Sequence, residues 1–105
     1  MFNYSSRFNK PIISLPDSLT HLTFGHDFNQ VVVLPNSLTH LVLKCKIING
    51  MNLPESLILI KIVHSTIEMI ENLPNNIKEL IIADYSFDTK LDNLPNSIEK
   101  ITISN

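Results

Sequence analysis

One pattern of apolar and polar positions recurs five times along the chain. Each copy begins with Leu-Pro, continues through a short polar stretch, and ends in an apolar triplet with the spacing Leu/Ile-x-x-Leu/Ile-x-apolar. The Leu-Pro pairs start at residues 15, 34, 53, 73 and 94, so the successive spacings are 19, 19, 20 and 21 residues. A repeat of nearly constant length is the sequence signature of a solenoid.

The apolar triplets predict short strands. Their last two positions are two residues apart, which places both side chains on one face of an extended strand. The triplets are Leu19/Leu22/Phe24, Leu38/Leu41/Leu43, Leu57/Ile60/Ile62, Ile77/Leu80/Ile82 and Ile98/Ile101/Ile103. The Leu-Pro segment at the start of each copy, Leu-Pro-Asn-Ser in two of them, predicts a turn, because proline fixes φ and because Asn, Asp and Ser side chains bond nearby backbone groups.

A further apolar position lies between successive strands. It is occupied by Phe8, Phe28, Ile47, Ile67 and Phe87. The segments around it are short and contain Asn, Gly and Pro, so they predict an extended or single-turn return path on the convex side. Aligning Phe8 with Phe28 places Phe2 beside Leu22 and Tyr4 beside Phe24, which predicts a partial first strand.

The first two copies carry a more specific motif. Residues 15–25 read Leu-Pro-Asp-Ser-Leu-Thr-His-Leu-Thr-Phe-Gly, and residues 8–12 read Phe-Asn-Lys-Pro-Ile. Together they resemble the FNIP repeat, a leucine-rich-repeat-like unit of proteins from social amoebae and large DNA viruses. The resemblance covers nearly the whole chain and is strongest in residues 8–43. It implies an interaction module in ubiquitin-ligase biology, since some family members carry an F-box, and a viral protein would act in the host cytoplasm.

These patterns predict one domain over residues 1–105, a leucine-rich-repeat-like β solenoid. Its single parallel sheet has five strands plus the partial first one. A chain of this length buries about two-thirds of its unfolded surface, which is enough for a core. The net charge of −2 gives no general attraction to nucleic acid or to an anionic membrane. The single cysteine, the lack of a signal peptide and the lack of a membrane-length apolar run predict a cytoplasmic protein.

Four side chains of types that bind metal ions or act as nucleophile or base occupy equivalent positions after the strands. They are His26, Cys45, His64 and Asp84. Lys44 and Lys46 flank Cys45 and would lower its pKa. The three solenoid steps between the first and the last, however, spread these four groups over about 14 Å, too far for one metal ion. We therefore expect no enzyme activity, no cofactor and no metal, with a zinc or thiol site at His26/Cys45/His64 kept as an alternative.

The outward positions of the strands form the predicted concave face. They are His21, Thr23, His40, Val42, Leu59, Lys61, Glu79, Ile81, Lys100 and Thr102. Val42, Leu59 and Ile81 form an apolar centre with polar residues around it, which is typical of a protein interface. We predict that this face binds a protein partner that the sequence does not identify. The alternative is a self-assembling fragment joined end to end, although Glu99 and Lys100 would discourage pairing at the last strand.

Overall fold

A computed structural model describes residues 2–3, 15–28, 33–45, 52–63, 73–83 and 94–103. These residues form one sheet of six parallel strands whose order follows the chain. The strands are β1 (Phe2–Asn3), β2 (His21–Phe24), β3 (His40–Leu43), β4 (Leu59–Ile62), β5 (Glu79–Ile82) and β6 (Lys100–Ile103). The predicted sheet of five strands plus a partial first one is confirmed.

The described residues contain no helix, and so none with the length and hydropathy that a bilayer span requires. The predicted convex segments lie outside the described residues, and so do four members of the apolar column between strands: Phe8, Ile47, Ile67 and Phe87. The fifth member, Phe28, is described and is buried. Its ring stacks on that of Phe24, with the ring centroids 4.2 Å apart, so this column backs the strand core as predicted at that repeat.

Equivalent positions of the repeat are in register across the sheet. Leu22 pairs with Leu41, and the same column continues through Ile60, Leu80 and Ile101. At the other end Phe2 pairs with Leu22, as the alignment of Phe8 with Phe28 predicts; Tyr4 lies outside the described residues. Strict alternation along each strand then sends one set of side chains inward and the other outward.

The inward side chains form a continuous core. The two inward residues of each strand from β2 to β5 are at most 1% exposed. They are Leu22, Phe24, Leu41, Leu43, Ile60, Ile62, Leu80 and Ile82. In β6 the equivalent Ile101 and Ile103 are 43% and 52% exposed, because no described strand packs on the far side of β6.

One carbonyl before each strand accepts hydrogen bonds from two consecutive amides of the next repeat. Thr39 N and His40 N both donate to Thr20 O, at 2.9 and 3.0 Å. The same pair of bonds recurs at Thr39 O, Ile58 O and Lys78 O. The carbonyl therefore fixes where the next strand begins, and with it the register of the whole strand pair.

The turn before each strand is present but starts one residue later than predicted. In the first repeat Leu19 N donates to Pro16 O at 3.1 Å, and all five repeats make the equivalent bond. The turn is therefore Pro-x-x-Leu/Ile rather than Leu-Pro-x-x. The leucine before proline is instead buried in the core, as at Leu34 and Leu73, or packed against it.

The turn serine connects neighbouring repeats and does not serve its own turn. Ser37 Oγ donates to Leu19 O and Ser56 Oγ donates to Leu38 O, each at 2.6 Å. Both donors belong to repeats that follow the previous Leu-Pro pair by 19 residues. At the 20-residue spacing Asn76 replaces serine and reaches Glu55 O at 3.0 Å. At the 21-residue spacing Ser97 Oγ is buried without a hydrogen-bond partner among the described residues.

Removal of the bonded serines tests this connection. We expect Ser37→Ala and Ser56→Ala to lower the free energy of unfolding by about 1–3 kcal/mol each, because a part-buried carbonyl loses its donor. Ser97→Ala is the matched control and should leave stability unchanged or slightly higher, because it removes a hydroxyl that has no partner. Urea denaturation measures all three, and equal losses at the three positions would contradict the role of the serine bond.

Truncation in the core column tests the exposure of the last strand. Leu41→Ala should lower the free energy of unfolding by about 2–5 kcal/mol, because Leu41 is fully buried and its loss leaves a cavity. Ile101→Ala removes side-chain volume from the equivalent position, where the side chain is 43% exposed, and should cost clearly less. If both variants lose the same amount in urea denaturation, β6 is covered in solution.

Candidate functional site

The ten residues predicted for the concave face lie on the outward face of the sheet. They form two rows across the strands, set by the register. The first row is His21, His40, Leu59, Glu79 and Lys100, and the second row is Thr23, Val42, Lys61, Ile81 and Thr102. We call this surface the outward face.

Exposure varies across the outward face in a regular way. All six of its residues on β3, β4 and β5 are half-buried, whereas His21 and Lys100 at the two flanks are exposed. In the centre, neighbouring side chains therefore cover part of one another, and the rest of their surface is accessible to a partner. Val42, Leu59 and Ile81 lie in this central part, so the predicted apolar patch exists as a surface of adjacent strands.

Two imidazoles stack at one side of the outward face. The rings of His21 and His40 are 4.2 Å apart between centroids and nearly parallel, at 9°. The threonine before each histidine holds the ring: Thr20 Oγ1 is 2.9 Å from His21 Nδ1, and Thr39 Oγ1 is 2.8 Å from His40 Nδ1. Each ring is therefore held at Nδ1 by its threonine and on one face by the other ring.

The hydrogen bonds of Thr39 indicate the tautomer of His40. Thr39 Oγ1 also lies 3.2 Å from Thr20 O and donates to it. A hydroxyl has one proton, so His40 Nδ1–H donates to Thr39 Oγ1 in the same arrangement. His40 Nε2 is then an acceptor. The Thr-His dipeptide occurs in both repeats, at Thr20-His21 and Thr39-His40, and it is the sequence feature that predicts this contact.

The environment of His40 opposes a positive charge. Burial lowers the pKa of His40, and repulsion from His21 lowers it further, while Glu79 partly offsets both effects. The ring is therefore neutral at neutral pH. At this side the outward face therefore offers a neutral His40 ring stacked on that of His21.

The acidic and basic residues near β6 are paired with the preceding repeat. Lys100 Nζ lies 3.9 Å from Glu79 Oε2, and Lys78 Nζ lies 3.9 Å from Glu99 Oε2. These ion pairs are largely exposed and contribute little to stability. They do direct Glu99 and Lys100 back toward the repeat that contains β5.

The cysteine of the alternative zinc or thiol site faces the core. Cys45 is 1% exposed, and burial raises the pKa of its thiol. The predicted lowering by Lys44 and Lys46 is wrong, because loss of solvent raises the pKa of the thiol more than a backbone hydrogen bond lowers it. His26 is exposed, and His64, Asp84 and Lys46 lie outside the described residues. Within the described ranges, no three His, Cys, Asp or Glu side chains form a group that could hold a metal ion.

Comparison with known proteins identifies a repeat family. The family model described as FNIP Repeat matches residues 8–46 and 69–105. The two segments together comprise 76 of the 105 residues, 39 in the first and 37 in the second. Searches of curated proteins and of solved structures found no match. The resemblance based on the Leu-Pro-x-Ser-Leu motif is confirmed.

The lowered pKa of His40 gives a pH dependence of stability. The unfolded chain, in which His40 titrates near 6.5, binds more protons than the folded chain as the pH falls through that value. Protonation of His40 therefore favours the unfolded chain, so the free energy of unfolding is highest at higher pH and falls on acidification. We expect His40→Gln to flatten the fall in unfolding midpoint between about pH 7.5 and about pH 5.

Thermal unfolding across this pH range measures the effect. Thr23→Gln, on the same face of β2, controls for the introduction of glutamine. Wild-type and His40→Gln curves that stay parallel would contradict the assignment.

Proposed function

Because this chain belongs to the FNIP repeat family, we propose that it is a non-enzymatic repeat protein that binds a protein partner through its outward face. The observation that carries the proposal is the half-buried apolar patch of Val42, Leu59 and Ile81 on the three central strands. An apolar centre with a polar rim is the usual composition of a protein interface.

The geometry of the patch supports this function. Val42 and Ile81 lie in the same row on either side of Lys61, and Leu59 lies in the neighbouring row on β4. Parallel strands are about 4.8 Å apart, so the patch extends over roughly 10 Å. The rim is polar on both sides, with stacked histidines toward β2 and the Glu79–Lys100 ion pair toward β6. A rigid sheet presents these groups without an ordering cost on binding.

Two features support a role without catalysis. Cys45, the strongest potential nucleophile, has a buried thiol with a raised pKa. His40 Nδ1 is used to hold the ring against Thr39, and its neighbour His21 is held in the same way. A general base needs a nucleophile within hydrogen-bond reach, and on the outward face these rings contact threonine and each other.

A more specific proposal is that the chain takes part in protein ubiquitination. Some FNIP-repeat proteins carry an F-box, and a solenoid that binds a partner could select substrates for a ubiquitin ligase in the cytoplasm. This proposal has the family as its support, since a fold hosts many functions and the site decides among them. The partner captured by the outward face would identify the pathway.

Capture from cytosol tests the outward face. We expect the wild-type chain to retain a partner that the double variant Leu59→Arg/Ile81→Glu loses, because two charges are placed in the apolar centre. The matched control is Val33→Arg/Ile58→Glu, which makes the same changes at apolar residues that are 87% and 43% exposed but lie off the outward face. All variants are first compared with wild type by circular dichroism. Equal capture by both double variants would place binding elsewhere.

A second candidate function is self-association through the last strand. It is favoured by the exposure of Ile101 and Ile103, whose equivalents in β2 to β5 are buried. Sedimentation over a range of concentrations should then show oligomers that Ile101→Lys/Ile103→Lys abolishes. A monomer at all concentrations would exclude this function for the 105-residue chain.

A further inference from the structure

Lys61 lies among Val42, Leu59 and Ile81 on the outward face and takes part in no ion pair with the described residues. Its neighbours in the same row are Val42 on β3 and Ile81 on β5. Along its own strand the neighbour on the same side is Leu59, two residues earlier. Lys61 itself is half-buried. A lysine in such a setting lays its aliphatic stem on apolar surface and keeps its ammonium group accessible.

Other charges of the outward face are accounted for within the chain. Glu79 and Lys100 pair with each other at 3.9 Å. His40 is held neutral by burial and by His21. Lys61 takes part in neither of the two ion pairs found among the described residues. The face therefore carries a single positive charge that the described residues leave without a carboxylate partner.

We propose that the partner is a protein segment that is apolar on both sides of one Asp or Glu, and that Lys61 selects this segment by pairing with its carboxylate. The inference rests on the proposed function. A segment that is apolar throughout would cover Lys61 and remove water from its ammonium group without providing a hydrogen bond or an ion pair. A segment with a carboxylate at that point restores the lost interaction, so the lysine discriminates between the two.

The charge count favours a carboxylate over a phosphate. A phosphorylated side chain carries close to two negative charges and is usually held by an arginine cluster or by several donors. The described outward face has no arginine and two lysines, and one of these, Lys100, is already paired with Glu79. One ammonium group matches one carboxylate in charge.

Selection from a display library of random linear peptides tests this proposal. Against the wild-type chain we expect enrichment of peptides with Asp or Glu between apolar residues. Lys61→Glu should enrich Lys or Arg at the same place. Lys61→Met should keep apolar peptides and lose the preference for an acid, because it preserves the apolar stem. Lys44→Glu is the matched control, since Lys44 is an exposed lysine beyond the end of β3, and should select the same acidic peptides as wild type.

Affinities of one enriched peptide give the second readout. We expect Lys61→Met to bind the acidic peptide about tenfold more weakly, the lower end of coupling energies for close charge pairs at interfaces. A peptide with the acid replaced by its amide should bind wild type and Lys61→Met equally. Tighter binding of a phosphoserine version would overturn the assignment to a carboxylate.

The outcomes separate this inference from the function on which it rests. Apolar peptides without an acid preference, lost in Leu59→Arg/Ile81→Glu, would overturn the role of Lys61 and leave the outward face as the binding site. Retention of the acid preference in Lys61→Glu would do the same. Peptides that bind Leu59→Arg/Ile81→Glu as well as wild type, or no enrichment at all, would overturn both.

Discussion

The hydrogen bonds from two consecutive amides to one carbonyl of the preceding repeat are the constraint on which the structure depends. Each such carbonyl, from Thr20 O to Lys78 O, fixes where the next strand begins. Because side chains alternate along a strand, a shift by one residue would exchange the core for the surface. The same bonds therefore determine both the apolar core and the composition of the outward face. The binding surface is a consequence of the register that holds the repeats together.

Much of the fold followed from two simple regularities of the sequence. The repeat period aligned equivalent residues, and the spacing of two within each triplet separated inward from outward positions. This was sufficient to predict the pairing of Phe2 with Leu22 and the side of the sheet on which His40, Lys61 and Ile81 lie. A solenoid is favourable for such reasoning, because each repeat contacts its neighbours and long-range contacts repeat one local rule.

Two features could not be predicted from the sequence because they depend on the packed structure. One is which carbonyl the turn serine reaches, and the other is whether burial or neighbouring residues determine the pKa of Cys45. Serine after proline has a local backbone acceptor in principle, but the stack brings Leu19 O within 2.6 Å of Ser37 Oγ. Lys44 and Lys46 flank Cys45 in the sequence, yet alternation and burial decide its environment, and the thiol pKa rises. The stacking of His21 on His40 needed the register and ring orientation together. The alternation of apolar and polar residues predicts which face of the sheet is exposed. It does not identify what binds there, because that depends on individual side chains.

The growth of the repeat from 19 to 21 residues has a consequence for the way the solenoid opens. The serine bond between repeats is present at the two 19-residue spacings and is lost by Ser97 at the longest one. In a nearly one-dimensional protein, the coupling between neighbours sets the order in which units separate. Ser97, without a partner in the described part of the chain, and the exposed Ile101 and Ile103 lower the free energy needed to separate β6 from β5. The stacked histidines lie on β2 and β3, at the other side of the outward face, so separation of β6 alone leaves their contact in place.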